Sequence, residues 1–443
     1  MGCYSILRGK MAEQYSGSPI VRRIAGSSFI RQAAGTYSTQ LLMAALGVCS
    51  SVIAARALGP AGRGTYAVAA AIGAIGVQFL NLGLHSTNSY FLSKDHSLLP
   101  SLLANALFAG FLLGGAGAIV LGGTFYLWNQ APLNGFMLLL AVLWIPVGTA
   151  YLLVVNLLMG LLRVRLYNTI ELVNKVLAVA SVAGAVLLGA RRPEVLFSLV
   201  LLAMLAGFLL ALRALLRLSP GRVQPSFHLF RQNFRLGWKV YICCLLAFIV
   251  IKIDLLMVKS MLGATAAGYY SIPGTLADYV LLLPTGVAAI LFPKLSGMTD
   301  DSQKRSLLLK AVAGSSAVLL GILAILALCA RFIIVLLFGR AFAPSATPVL
   351  FLLPGILFLG IETVLVQYLN SRGFPSSVVA LWIGSTVLNI GANLWAIPRY
   401  SINGAAAVSS VSYFFALLGV IWITHAKWKT GTSVQEQAAV SVS

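Results

Sequence analysis

Apolar runs follow one another from residue 30 to residue 425, and each is close to the ~20 residues that cross a hydrocarbon core. They fall at roughly 30–56, 65–92, 98–127, 133–160, 167–189, 194–216, 234–261, 267–295, 306–336, 345–370, 375–397 and 402–425. In lipid the backbone must satisfy its own polar groups, so such runs are helices or the strands of a closed barrel. Barrel strands would alternate lipid-facing apolar and lumen-facing polar residues. These runs do not alternate, so the pattern predicts an all-α polytopic membrane protein of about twelve transmembrane helices. Most connections are short. The longest internal one, Arg217–Asn233, carries Ser219-Pro220-Gly221 and Pro225 and divides the spans six and six.

This reading predicts a basic cytoplasmic tail over 1–28 and a six-helix lobe over 29–218. A cytoplasmic linker follows over 219–233, then a second six-helix lobe over 234–426 and a cytoplasmic tail over 427–443. Residues 1–28 hold no apolar core of the kind a cleaved signal peptide needs.

Composition sharpens the assignment. Of the 443 residues, 59% are hydrophobic and 9% charged, against about 25% charged in a soluble domain. The 31 Lys and Arg against 10 Asp and Glu would suggest nucleic acid in a soluble protein. Here the basic residues sit between apolar runs. With the N-terminus inside, 20 lie on the cytoplasmic side and 8 opposite, Arg56 and Arg63 among the 8. That asymmetry excludes a nucleic-acid partner and places both termini in the cytoplasm. The five cysteines show no metal or disulfide spacing. No phosphate-binding G-x4-G-K-[ST] loop, H-E-x-x-H or G-x-S-x-G occurs, and no loop could house a soluble catalytic domain, so the chain reads as a non-enzyme without a cofactor.

The halves repeat. Leu58-Gly59, Gly64 and Tyr66 read L-G-x4-G-x-Y, as do Leu262-Gly263, Gly268 and Tyr270, 204 residues on. The same offset sets Arg31 on Arg235. Six spans per half give both halves one topology, so the lobes are pseudo-symmetric about an axis along the membrane normal, with substrate between them.

Polar groups inside apolar runs are the candidate site, because charge at a helix centre costs about 2.5–3.5 kcal/mol on insertion scales. In the second span Gln78, Asn81, His85 and Asn88 fall on one stripe, facing either a cavity or a neighbouring helix. The eighth span holds Ser271, Thr275, Asp278 and Thr285, with Pro273 and Pro284 permitting a kink. Lys252 and Asp254 in the seventh point about 200° apart, so each needs its own partner. Glu171 and Lys175 have the spacing of a self-neutralising pair. Ser385, Asn389 and Asn393 share one stripe of the eleventh span, and Glu362 stands alone in the tenth.

The segment Ala55-Arg56-Ala57-Leu58-Gly59-Pro60-Ala61-Gly62-Arg63-Gly64-Thr65-Tyr66, followed by Asn81-Leu82-Gly83-Leu84, resembles the start of polysaccharide-unit flippases. Asp254-Leu255-Leu256-Met257, Leu262-Gly263, Gly268-Tyr269-Tyr270 and Phe292-Pro293-Lys294-Leu295 resemble the start of their second half. These transporters belong to the multidrug/oligosaccharidyl-lipid/polysaccharide exporter superfamily, and the likeness extends over nearly the whole chain. It implies alternating access that moves a polyprenyl-diphosphate-linked oligosaccharide from the inner to the outer leaflet of a bacterial inner membrane. It also implies membrane lipids, a polysaccharide polymerase and glycosyltransferases as partners. Arg31, Arg235 and Lys252 are then candidate phosphate contacts, with Gln78, Asn81, His85, Asn88 and Asp278 lining the path. Similar lipid-linked precursor flippases imply a site for a coupling Na+ or H+ in the second lobe, here Asp254 with Asn389 and Asn393. A small-molecule or drug exporter of the same fold and a membrane-embedded enzyme of polysaccharide assembly stay open as alternatives.

Overall fold

A computed structural model describes residues 19–127, 133, 135–219, 221–298, 300–372 and 376–440, and their side chains from 39 to 428 with 126, 127 and 239 excepted. The described residues are helical nearly throughout. The first lobe comprises α1 (Pro19–Leu80), α2 (Leu84–Lys94), α3 (Leu99–Leu107), α4 (Gly114–Leu127), α5 (Gly135–Gly160), α6 (Val164–Leu187) and α7 (Pro193–Leu218). The second comprises α8 (Phe227–Leu262), α9 (Ala264–Val280), α10 (Leu282–Gly297), α11 (Asp301–Phe338), α12 (Ala346–Ser371) and α13 (Ser376–Val440). Ten stretches among the described residues are long and apolar enough to cross a membrane. Two of them, in α1 and α13, are bent at Gly59 and Ser401: α13 holds two of the expected crossings, and α1 holds the first and the opening part of the second.

The side of the molecule away from the lobe-joining linker (the far side) turns on left-handed residues. Gly59, Gly189, Gly263, Gly339 and Ser401 all have φ between 55° and 98° there. Glycine adopts such backbone without a Cβ penalty, so one residue suffices to reverse or bend the chain. The repeat is visible in these angles: Gly59 has φ 64°, ψ −179° and Gly263 has φ 88°, ψ −179°. Pro60 follows Gly59 as the first residue of the next helical run, where its missing N–H costs nothing.

Two spans expected to be continuous are broken. In the second, Leu82 (φ 50°) and Gly83 (φ 73°) separate α1 from α2, so Gln78, Asn81, His85 and Asn88 do not share one continuous helical stripe. The eighth breaks at Leu281 between α9 and α10. Pro284 lies one turn beyond that break and has no N–H to bond back to Val280, whereas Pro273 sits inside unbroken α9.

On the linker side, Asn105 of α3 holds the segment entering α8. Its Nδ2 donates to the Ser226 carbonyl at 2.9 Å, and its Oδ1 accepts from the Ser226 N–H at 3.0 Å. Ser226 in turn caps α8 by accepting from Leu229 N–H.

The polarity is that of a membrane protein. Large apolar side chains such as Leu328, Phe332 and Trp422 point outward, while Arg63, Asp254, Glu362, Asn389 and Asn393 are buried. Lipid solvates the first set, and the second must find partners inside the bundle.

Candidate functional site

The lobes meet at two levels. On the far side α1 crosses α9 with the repeated motifs facing each other. A Cβ built on Gly64 would strike the Ala264 carbonyl, and one built on Gly268 would strike the Pro60 carbonyl. Pro60 and Ala264 are themselves 204 residues apart, so the contact is reciprocal about the pseudo-two-fold axis. Only glycine at both positions lets the backbones touch. On the linker side α2 and the end of α1 meet α8. Asn233 Nδ2 donates to Asn88 Oδ1 at 2.7 Å, Tyr241 donates its hydroxyl to the Phe79 carbonyl, and Gly237 packs on Thr87.

Between these seams lies a cavity of about 250 Å³. Helix α1 supplies Arg63, Tyr66 and a strip of small residues, Ala67, Ala70, Ala71 and Ala74, which leaves the room. The other walls come from Lys252 on α8, Tyr270, Ser271, Thr275 and Asp278 on α9, Leu352, Ile356 and Leu359 on α12, and Ser409 and Tyr413 on α13.

Arg63 is the residue that sequence reasoning placed wrongly. It was expected in a loop on the far side. Because the turn at Gly59 takes a single residue, Arg63 is already one turn into a helix and is buried. Its guanidinium donates to Ser51 Oγ (3.0 Å), Thr275 Oγ1 (3.1 Å) and Ser271 Oγ (3.4 Å) and lies 5.7 Å from the Tyr66 ring centroid. All are neutral. The ion pairs among the described residues are Lys252–Asp278 and Arg372–Asp301, so no carboxylate neutralises Arg63. The repeat contained a signal, since the residue 204 positions from Arg63 is Ala267: the cation is the asymmetric element of two matching motifs.

The remaining expected residues divide. Lys252 and Asp278 line the cavity and pair at 2.8 Å, which removes Lys252 as a free charge. Arg235 is exposed at the linker-side end of α8, away from the cavity. Arg31 lies on α1, and its side chain is outside the described residues. Gln78, Asn81, His85 and Asn88 do not line the cavity. Asn81 instead brackets the helix break: its Nδ2 donates to the Gln78 carbonyl (2.9 Å) and side-chain Oε1 (3.2 Å). Its Oδ1 accepts from the Gly83 N–H (2.8 Å) and lies 3.3 Å from His85 Nδ1. Glu171 does not pair with Lys175; it accepts from the Tyr151 hydroxyl at 2.6 Å.

Asp254, Asn389 and Asn393 come together in the second lobe, all fully or almost fully buried. Asn393 Nδ2 donates to Asp254 Oδ1 at 2.8 Å and touches Asn389 Oδ1 at 3.3 Å. The other Asp254 oxygen accepts from Tyr270 at 3.2 Å and from Ser409. Sequence spacing could not find Tyr270 and Ser409, which arrive from other helices. Within the cluster Asn389 Nδ2 and Asn393 Oδ1 are buried without hydrogen-bond partners among the described residues, as is Ser385 Oγ one turn earlier on α13. A buried carboxylate, two amide oxygens and two hydroxyls form an all-oxygen donor set, which suits a hard cation. Tyr270 and Ser409 also form part of the cavity wall, so one layer of side chains separates Asp254 from the cavity.

The family model described as "Polysaccharide biosynthesis protein" matches residues 53–347. An uncharacterized membrane protein of Methanocaldococcus jannaschii is 26% identical over 228 residues, which span 50% of this chain and 45% of that relative. Two solved structures share the fold at TM-score 0.70 and 14% identity. An inward-facing multidrug resistance MATE family transporter of the MOP superfamily is covered over 90% of this chain and 99% of its own. The lipid II flippase MurJ in an inward closed conformation is covered over 88% and 87%. A MOP superfamily transporter from Pyrococcus furiosus, described by the reverse polarity of its binding pocket, aligns at TM-score 0.56 and 14% identity over 89% and 93%. The chain is thus a multi-pass protein with the MOP transporter fold, and it belongs to the polysaccharide biosynthesis protein family.

Proposed function

We propose that this chain flips a polyprenyl-diphosphate-linked oligosaccharide across the cell membrane by alternating access. The observation that carries the reading is the charge of the inter-lobe cavity. Lys252 and Asp278 cancel, and Arg63 remains as a buried guanidinium held only by neutral groups. A guanidinium presents a planar fork of donors that matches phosphate oxygens, and a low-dielectric wall strengthens that attraction. The same positive charge disfavours a cationic drug. A cavity of about 250 Å³ is too small for an oligosaccharide. It suits a diphosphate headgroup once one seam loosens, with sugar extending toward the open side and the prenyl chain left in lipid.

The coupling ion, Na+ or H+, binds at Asp254 in this proposal. Its loading reorders Tyr270 and Ser409, which also face the cargo, so ion and cargo act on one wall. The test is transport in proteoliposomes with an imposed Na+ or proton gradient. Wild type responds to one gradient, and Asp254→Asn keeps a basal rate that neither gradient changes. An Asp254→Asn protein that still responds fully would remove the coupling site. An Arg63→Gln protein that transports at the wild-type rate would remove the anion site.

A further inference from the structure

Glu362 takes no part in the cavity chemistry or in the Asp254 cluster, yet it is 4% exposed in the middle of α12. Its carboxyl receives no hydrogen bond from any described residue and joins neither of the two ion pairs. Thr363 and Gln367, the nearest polar side chains on its own helix, donate to the Leu359 and Thr363 carbonyls and offer it nothing. Helices α9, α10, α11 and α13 pack against α12. Asp278 on α9 is bound to Lys252, and Lys294 on α10, Lys310 on α11 and His425 on α13 form no ion pair with Glu362. No titratable side chain on these helices is hydrogen-bonded or ion-paired to Glu362 among the described residues.

Position links this carboxyl to the cavity. Leu352, Ile356 and Leu359 line the cavity at spacings of four and three, and Glu362 is the next residue on that face. It therefore sits roughly one turn, about 5 Å, beyond the cavity wall toward the linker side. Burying a charge there without a counter-ion is strongly unfavourable, because its lost hydration is not repaid. The surroundings restrict what can offset it. A hard metal ion requires several oxygen ligands, about six for calcium or magnesium, and among the described residues Glu362 belongs to no group of three or more His, Cys, Asp or Glu side chains. A proton requires only the carboxyl.

We propose that Glu362 is a proton-binding site of this chain, separate from the Asp254 cluster and reached through the inter-lobe cavity. The chemistry is a reversible transfer: an O–H bond of hydronium breaks as the carboxyl O–H bond forms, leaving water, and the reverse step returns the proton to water when the cavity is hydrated. Two acidic sites in one lobe then divide the work. The all-oxygen Asp254 cluster suits a hydrated cation, and the donor-poor Glu362 pocket suits a proton. This inference rests on the transporter reading only for the use made of the proton; the site itself is testable without cargo.

The experiment is infrared difference spectroscopy on the purified full chain during a pH titration, reading the carbonyl stretch of protonated carboxyls and its shift in heavy water. Wild type shows a band that Glu362→Gln lacks and Asp254→Asn keeps; glutamine copies the shape of the neutral acid, so the fold is retained. Glu362→Asp displaces the band and guards against a folding artefact. Leu359→Trp, which fills the cavity above Glu362, slows the heavy-water shift at least tenfold. A Glu362→Gln spectrum identical to wild type overturns the site. Unchanged exchange in Leu359→Trp overturns access through the cavity. Neither result depends on what the chain transports, so failure here leaves the flippase reading standing, and an inactive flippase assay leaves the band standing.

Discussion

Replacing Gly268 by alanine adds one methyl group at the narrowest contact between the lobes. The new Cβ falls on the Pro60 carbonyl, a backbone atom that no rotamer change can move aside. An ordinary carbon–oxygen contact is about 3.3–3.6 Å, so α1 and α9 must part by roughly 1–2 Å. Overpacking of this kind costs about 1–3 kcal/mol. If the seam opens and closes in the transport cycle, that cost falls on the closed state alone and shifts the closed-to-open ratio about 5–150-fold toward open. Gly64→Ala places its methyl on the Ala264 carbonyl and 2.7 Å from Gly268 N, so the pseudo-two-fold axis predicts a similar shift. Gly314→Ala on α11 has nothing within 4 Å of the new carbon and serves as the control. Spin labels at Ala61→Cys and Thr265→Cys, exposed mates 204 residues apart, report the seam by pulsed electron resonance in a chain with its native cysteines replaced. Wild type and Gly314→Ala give one short distance, and both seam variants give a longer or broader one. Seam variants with the wild-type distance distribution would refute a closed far-side gate.

Three further outcomes follow from the geometry. Asn88→Ala leaves the Asn233 amide buried and unpaired at the linker-side seam, at a cost of about 1–3 kcal/mol; thermal unfolding in detergent measures it, and Asn233→Ala in the same chain recovers part of the loss. Ser401 holds φ 55°, ψ −146°, a glycine-only region whose strain costs a side-chain-bearing residue about 1–3 kcal/mol. Ser401→Gly therefore raises the unfolding midpoint, and an unchanged or lower midpoint would contradict the strain. Lys252→Met strands the Asp278 carboxylate and lowers stability by about 1 kcal/mol, a modest figure because both side chains are partly exposed; adding Asp278→Asn reverses the loss if the pair is the cause.

The crossings were legible because lipid leaves a helix no alternative, and the repeat was legible because Gly59 and Gly263 must both adopt a backbone that only glycine accepts readily. What the sequence hid is where helices stop. Leu82 is apolar and sits in an apolar run, so the left-handed turn at Leu82-Gly83 leaves hydrophobic periodicity undisturbed while scattering the Gln78–Asn88 stripe. The tightness of the Gly59 turn was equally invisible, and it decides whether Arg63 is a loop residue or a cavity residue. Asp254, Asn389 and Asn393 could be chosen by type and depth on their own helices. Their completion by Tyr270 and Ser409 depends on how α9 and α13 pack around α8, which no local spacing records.

The account stands most directly on Arg63 as the anion contact of a flippase. The decisive measurement is translocation of a polyprenyl-diphosphate-linked sugar in proteoliposomes, with an impermeant sugar-cleaving enzyme reporting the exposed leaflet. Wild type should expose the sugar, Arg63→Gln should abolish the effect, and Arg63→Lys should keep part of it, since a point charge replaces the forked donor. Equal exposure with Arg63→Gln and wild type would contradict the account.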